Sequence, residues 1–148
     1  MTVERRCSYA ALCLAALLLT NGCGSSAPAP KQADVSVKHE LLRGVAYIQA
    51  IRDPKKLYPK LVDVRARLRR AQPTTPRERN GLKLALQGFA ATLQGVQSRL
   101  VFIEKDSGNL PNATRDAGKA DKFLTRGANR LRAAGRALGL ELGTLNGY

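Results

Sequence analysis

The feature that most constrains the fold is a run of apolar residues between Thr75 and Glu104, spaced alternately four and three residues apart. Its members are Leu82, Leu86, Phe89, Leu93, Val96, Leu100 and Ile103. This spacing places every member on one stripe of an α-helix and is typical of helices that lie side by side. At about 1.5 Å per residue, the helix would be roughly 43 Å long. A stripe of that length has to be covered by other helices.

The start of this helix is also marked in the sequence. Thr75 can cap the helix, Pro76 suits the first helical position, and Glu78 follows Thr75 by three residues. Together they form a capping box, in which the threonine and glutamate side chains satisfy two free backbone N–H groups.

Two helices are predicted before this one. The first extends from about Asp34 to Arg52, and its apolar stripe is Leu41, Val45 and Ile48, widened by Leu42 and Ile51. The second is capped by Asp53 with Pro54 at its first position. Because Pro59 disfavours a helix interior, its regular part is predicted to begin only at Tyr58 or Pro59. The stripe of the second helix is Leu57, Leu61, Val64, Leu68 and Ala71.

A fourth helix is predicted to begin at Pro111 or Asn112, after a turn over residues 105–109. Its stripe again alternates steps of four and three, with small residues at alternate places: Ala120, Leu124, Gly127, Leu131, Ala134 and Leu138. No alternating pattern long enough for a β-strand occurs. We therefore predict an all-α fold, an up-down bundle of four helices over residues 34–140 with a flexible tail over 141–148. The alternative is a bundle of three helices, of which the first is kinked at Pro54.

Gly81, Gly88 and Gly95 recur every seven residues beside the stripe of the third helix. Each glycine costs about 1 kcal/mol relative to alanine inside a helix. One explanation is that the fourth helix approaches closely along this line. The other is coincidence in a glycine-rich chain.

The N-terminus has the pattern of an export signal. Arg5 and Arg6 precede an apolar run from Tyr9 to Leu19, which is too short to span the roughly 30 Å hydrocarbon layer as an ordinary helix. Small and polar residues follow, up to Cys23. Residues 1–22 are therefore predicted to be a signal peptide.

The segment Leu-Thr-Asn-Gly-Cys at residues 19–23 resembles the lipobox of bacterial lipoproteins, although Thr20 stands where that family usually has leucine. The resemblance covers only the first two dozen residues. It implies that the signal is cut before Cys23 and that this cysteine is acylated, which anchors the chain to a membrane of the cell envelope. Two alternatives are cleavage after Gly22 or Ala29, which would release a secreted protein, and an uncleaved anchor.

The residues after Cys23 agree with such an anchor. Residues 24–32 are mostly Gly, Ser, Ala and Pro, so that residues 23–33 are predicted to be a lipidated cysteine and a flexible tether. Cys7 and Cys13 lie inside the predicted signal, so Cys23 is the only thiol left after cleavage. An exported domain without disulfides must be stabilised by its helices alone.

No pattern for catalysis or for a cofactor is present. His39 is the only histidine and has no metal-ligand partner at a suitable spacing, and the only methionine is Met1. Phosphate-binding loops require a preceding strand, and none is predicted. The sequence therefore predicts neither an enzyme nor a bound cofactor.

Positive charge is the remaining signal, since 25 Lys and Arg outnumber 11 Asp and Glu. Arg65, Arg67, Arg69 and Arg70 form one cluster near the end of the second helix. A second set follows one face of the fourth helix: Arg115, Lys119, Lys122, Arg126 and Arg130. These faces would bind anionic lipid or an acidic envelope polymer, or would only keep the protein soluble. Nucleic acid is disfavoured because the chain is predicted to be exported and has no aromatic platform or known motif.

The predicted function is a non-catalytic, membrane-anchored module that binds or scaffolds envelope partners, including an envelope protein. The alternative is a bundle that holds a small ligand or a lipid between its helices. A cavity lined by the Leu82–Ile103 stripe would favour this alternative, whereas a solid core of Leu and Ala would favour exposed binding faces.

Overall fold

The computed structural model describes residues 35–105 and 110–145. Over these ranges the chain forms four α-helices and no strand, and the helices pack against one another. They are α1 (Val37–Ala50), α2 (Pro54–Arg70), α3 (Pro76–Lys105) and α4 (Leu110–Leu138). The predicted all-α bundle of four helices is confirmed. The predicted turn over 105–109 lies largely outside the described residues.

The alternative of three helices is wrong because the backbone is extended between α1 and α2. Ser36 caps α1, accepting a hydrogen bond from the His39 backbone N–H, so this helix begins three residues later than predicted. It ends at Ala50, and Ile51 has φ −100° and ψ 111°. Asp53 then caps α2 by accepting from the Lys55 backbone N–H at 2.9 Å.

Pro59 does not delay the start of α2, contrary to the prediction. The helix is continuous from Pro54, and Pro59 lies on its exposed face while Leu57 and Leu61 are fully buried on the opposite face. Proline removes one backbone hydrogen bond. On a solvated face, water can satisfy the carbonyl group that is left free.

The predicted capping box at the start of α3 is confirmed. The Glu78 backbone N–H donates to Thr75 Oγ1 at 3.1 Å, and the Thr75 backbone N–H donates to Glu78 Oε2 at 3.2 Å. Thr74 adds two more donors to the same carboxylate oxygen, its backbone N–H at 2.9 Å and its hydroxyl at 2.8 Å. The side-chain bond from Thr74 and the backbone bonds from Thr74 and Thr75 lower the pKa of Glu78.

The glycine line of α3 is the surface on which α4 packs, which confirms close approach. A Cβ atom added at Gly88 would lie 2.8 Å from Leu131 Cγ and 3.1 Å from the Leu131 backbone nitrogen. Corresponding collisions pair Gly81 with Leu138 and Gly95 with Leu124. From one pair to the next, the glycine lies seven residues later in the chain and the leucine seven residues earlier, as antiparallel helices require. Each leucine of α4 therefore packs over a position of α3 that carries no side chain.

The buried face of α3 therefore differs from the predicted stripe. Phe89, Leu93 and Val96 are buried as predicted, but Ile103 is 56% exposed. Three further members of the stripe are only partly buried: Leu82, Leu86 and Leu100. The core includes residues on the glycine side that the pattern of large apolar residues did not indicate, namely Gly81, Ala85, Gly88, Thr92 and Gly95. Every member of the stripe predicted for α4 is buried.

The helices α1 and α2 cover the half of the α3–α4 hairpin that contains the start of α3 and the end of α4. A Cβ atom added at Gly44 of α1 would collide with the ring of Phe89, which is fully buried. The stripes of both helices are buried as predicted, except that Leu42 is exposed and Ile51, just after the end of α1, is only partly buried. Among the residues whose burial the structure describes, Val96 is the last buried one of α3 and Ala120 is the first of α4. Residues 97–105 and 110–119 thus form a two-helix extension.

The end of α4 is fixed by Gly139, whose φ is +70°. The Leu140 backbone N–H donates to the Gly135 carbonyl at 2.8 Å, which closes the last turn of the helix. The chain then folds back, and Leu145 is buried in the core with 4% of its surface exposed. Residues 141–145, expected as part of a flexible tail, thus contribute to the packing of the bundle.

Replacement of Gly88 by alanine tests the contact between α3 and α4. The added methyl group should favour the helix by about 1 kcal/mol, but overpacking against Leu131 costs typically about 1–3 kcal/mol. We expect G88A to lower the melting temperature, and Gly88→Leu to lower it further. In the control, Gly118→Ala, the new Cβ would meet nothing within 4 Å, so G118A should raise the melting temperature. Equal shifts in the two alanine variants would contradict the close approach.

The capping box predicts a pH-dependent stability. Because the pKa of Glu78 is lowered below its ordinary value of 4.5 in the folded chain, its carboxylate stabilises the fold above that value. This contribution is lost as the pH falls through the lowered pKa. Glu78→Gln retains an oxygen acceptor but does not titrate. In urea unfolding, the wild type should exceed E78Q in stability at about pH 7 and lose that advantage at about pH 3. A difference in stability between the wild type and E78Q that does not change with pH would contradict the role given to the Glu78 carboxylate.

Candidate anion-binding surface

The structure places all five predicted basic residues of α4 on one exposed face, called here the basic stripe: Arg115, Lys119, Lys122, Arg126 and Arg130. At 3.6 residues per turn, their spacing confines them to an arc of about 80°. This arc lies away from the face that Leu124, Leu131 and Leu138 bury against α3. The packing of α4 against α3 therefore leaves the stripe in contact with solvent.

The stripe is not uniformly charged, because Asp116 lies beside its N-terminal part. The carboxylate of Asp116 is 3.2 Å from Lys119 Nζ and 3.9 Å from Arg115 Nε. Exposed ion pairs such as these contribute little to stability. They nevertheless reduce the local positive charge, so that Arg115 and Lys119 attract an external anion less strongly than an isolated pair of cations would.

The other three cations, called here the free triad, are Lys122, Arg126 and Arg130. None of them is within ion-pair distance of a carboxylate in the described part of the chain. Successive members are four residues, or about 6 Å, apart along the helix axis. The guanidinium group of Arg126 also lies 5.8 Å from the centre of the Phe123 ring, a distance suited to a cation–π contact.

The free triad surrounds a shallow surface depression of about 530 Å³. Its other lining residues are Asp121, Thr125 and Asn129. The Asp121 carboxylate is 3.2 Å from Arg99 Nη2 on α3, so its charge is balanced from outside the depression. The amide oxygen of Asn129 accepts from Arg132 at 2.9 Å, which leaves the amide NH₂ to donate elsewhere. The depression thus combines three cations with a hydroxyl, an amide donor and one carboxylate that is paired with Arg99.

This set of groups is suited to binding oxyanions. The guanidinium group of arginine presents a planar fork of donors that matches carboxylate and phosphate oxygens, and lysine adds a flexible point charge. Hydroxyl and amide groups are common additional donors to phosphate oxygens. The arrangement holds an anion at the surface and leaves it exposed to water.

A second depression lies in the groove between α3 and α4 and was not indicated by the sequence. It has a volume of about 300 Å³ and is lined by Gln94, Gln97, Ser98, Val101, Asp116, Lys119 and Phe123. Val101 lies one position after Leu100 of the predicted stripe and is exposed. Only the side-by-side packing of α3 and α4 brings these residues together, so no pattern along one helix could have revealed the groove.

The arginine cluster of α2 does not extend the basic stripe. In the described residues, α2 packs against α1 and α3 but not against α4. Within this cluster, Arg67 pairs with Asp63 at 3.2 Å, and Asp63 also accepts from Arg43 of α1 at 2.6 Å. Arg43 in turn lies 3.3 Å from the buried carboxylate of Glu40. This network joins α1 to α2.

The other residues considered from the sequence are Cys23 and His39. Cys23 lies outside the described residues. His39 is exposed on the first turn of α1. No group of three or more His, Cys, Asp or Glu side chains that could hold a metal ion occurs in residues 35–105 and 110–145.

Within those same ranges, none of the helices is long and apolar enough to cross a membrane. Comparison with protein-family models, with curated proteins and with solved structures gave no match in any of the three. The function has to be inferred from the residues of this chain.

Proposed function

We propose that this protein is an exported bacterial lipoprotein whose helical bundle is held beside the outer face of a membrane by acylated Cys23 and serves as a non-catalytic binding or scaffolding module. The observation that carries the proposal is the position of Cys23. It follows the short apolar run Tyr9–Leu19 by four residues, behind two arginines, and it is followed by a segment rich in Ser, Ala and Pro.

The number of residues between Cys23 and the first helix supports an anchoring role. Helix α1 begins at Val37 with its own cap, Ser36, so residues 24–35 separate the anchor from the first helix. The tether predicted for these residues would hold the domain within roughly 15–30 Å of its anchor. The bundle is thereby kept near the head groups of the bilayer.

The packing of α3 on α4 supports binding at exposed faces over binding between these helices. At Gly81, Gly88 and Gly95 the space between the helices is too small for even one added carbon atom. A lipid or small ligand would have to separate α3 from α4 along this line. The exposed basic stripe needs no such rearrangement.

We expect the native protein extracted from membranes to begin at Cys23 and to carry acyl chains, because the cut precedes the modified thiol in the lipoproteins that this segment resembles. Intact-mass measurement reports both the cut and the added lipid. In a Cys23→Ser variant the added mass of the acyl chains should be absent. Any chain of this variant from which the signal has been cut should no longer be found in the membrane fraction. A native chain that begins elsewhere, or begins at Cys23 without acyl groups, would refute the proposal.

A further inference from the structure

We propose that the free triad of α4 binds a linear phosphodiester polymer of the cell envelope, which lies along the helix across Lys122, Arg126 and Arg130. The location of the polymer rests on the proposed export of the chain. The binding itself rests on the geometry of α4.

The first argument is charge complementarity. Asp116 offsets one of the two positive charges of Arg115 and Lys119, and Arg99 balances the charge of Asp121, so the largest share of the positive charge along the stripe lies at the free triad. Its members form a row with steps of about 6 Å. A row of cations matches a ligand that carries repeated charges along its length better than it matches one small anion.

The second argument is the type of donor. Thr125 and Asn129 share the depression with the free triad, and hydroxyl and amide groups complete the donor set that proteins use for phosphodiester oxygens. Each non-bridging phosphate oxygen can accept from an arginine fork and from one of these neutral donors. Alternation of charged and neutral donors along α4 provides contacts for successive repeats.

The third argument favours a polymer over a lipid surface. A helix that binds in a bilayer interface inserts an apolar face beside its cationic face. The apolar face of α4 is already buried against α3, and the large exposed apolar residues of the described chain are on other helices, namely Leu42, Val62, Val101 and Ile103. The outer face of α4 therefore offers charge and hydrogen bonds without an apolar wedge.

The test measures binding of fluorescent poly(glycerol phosphate) to the protein purified from membranes in a non-ionic detergent. Replacement of the free triad by glutamine (K122Q, R126Q, R130Q) should weaken binding at least about tenfold at low salt. The matched control replaces the exposed cations Arg77, Arg79 and Lys83 of α3, again two arginines and one lysine, and should change binding by less than about threefold. Equal loss in both variants would show attraction by net charge alone and overturn the proposal.

Salt dependence gives a second readout that does not depend on the folding of the triple variant. Three phosphate contacts predict a slope of roughly −2 in a plot of log affinity against log salt concentration. Asp116→Asn releases Arg115 and Lys119 and should both tighten binding and steepen this slope. An unchanged or weaker affinity in D116N would overturn the assignment of charge along the stripe.

Competition identifies the class of ligand. Unlabelled poly(glycerol phosphate) should displace the labelled chain better than polyglutamate or phosphatidylglycerol in mixed micelles at equal charge concentration. Stronger displacement by polyglutamate would assign the surface to carboxylate polymers, and stronger displacement by phosphatidylglycerol would assign it to the membrane; either result overturns the proposal. Failure of the proposed export appears separately, as an unacylated or differently cut chain by mass.

Discussion

The interlocking of α3 and α4 is the contact on which the rest of the structure depends. Three glycines of α3 remove the side chains that would hold α4 away, and three leucines of α4 occupy the space. Gly127 makes the reciprocal fit, since a Cβ there would collide with Thr92 Oγ1. Close contact of this kind maximises buried apolar area and dispersion in a protein with few aromatic residues.

The shorter helices depend on this hairpin. Phe89, the largest fully buried side chain of the described residues, projects from α3 and packs its ring against Gly44 of α1. An ion network of Glu40, Arg43, Asp63 and Arg67 then joins α1 to α2. A buried carboxylate such as that of Glu40 is tolerated only with a positive partner. The network therefore gives the buried Glu40 carboxylate its positive partner and links α1 to α2 through Arg43 and Asp63.

The same hairpin determines which charges are available for binding. Burial of one face of α4 against α3 turns the opposite face, with its five cations, to solvent. Acidic residues beside that face then divide it into a compensated part near Asp116 and the free triad. In the proposed anchored protein, a binding surface on the outside of a closed bundle allows an envelope partner to be engaged without opening the core.

The sequence by itself determined the four helices, the N-terminal caps of α2 and α3 and the whole buried stripe of α4, because helix periodicity and capping are local properties of the chain. It also identified all five members of the basic stripe, and it predicts an export signal that ends before Cys23. The tertiary structure alone decided which side of α3 is buried. The large apolar residues predicted one buried face of α3. In the structure the buried face also includes Gly81, Gly88 and Gly95, because the leucines of α4 pack into the space that these glycines leave. The ion pair of Arg99 with Asp121, which balances the carboxylate beside the free triad, likewise depends on the packing of α3 against α4.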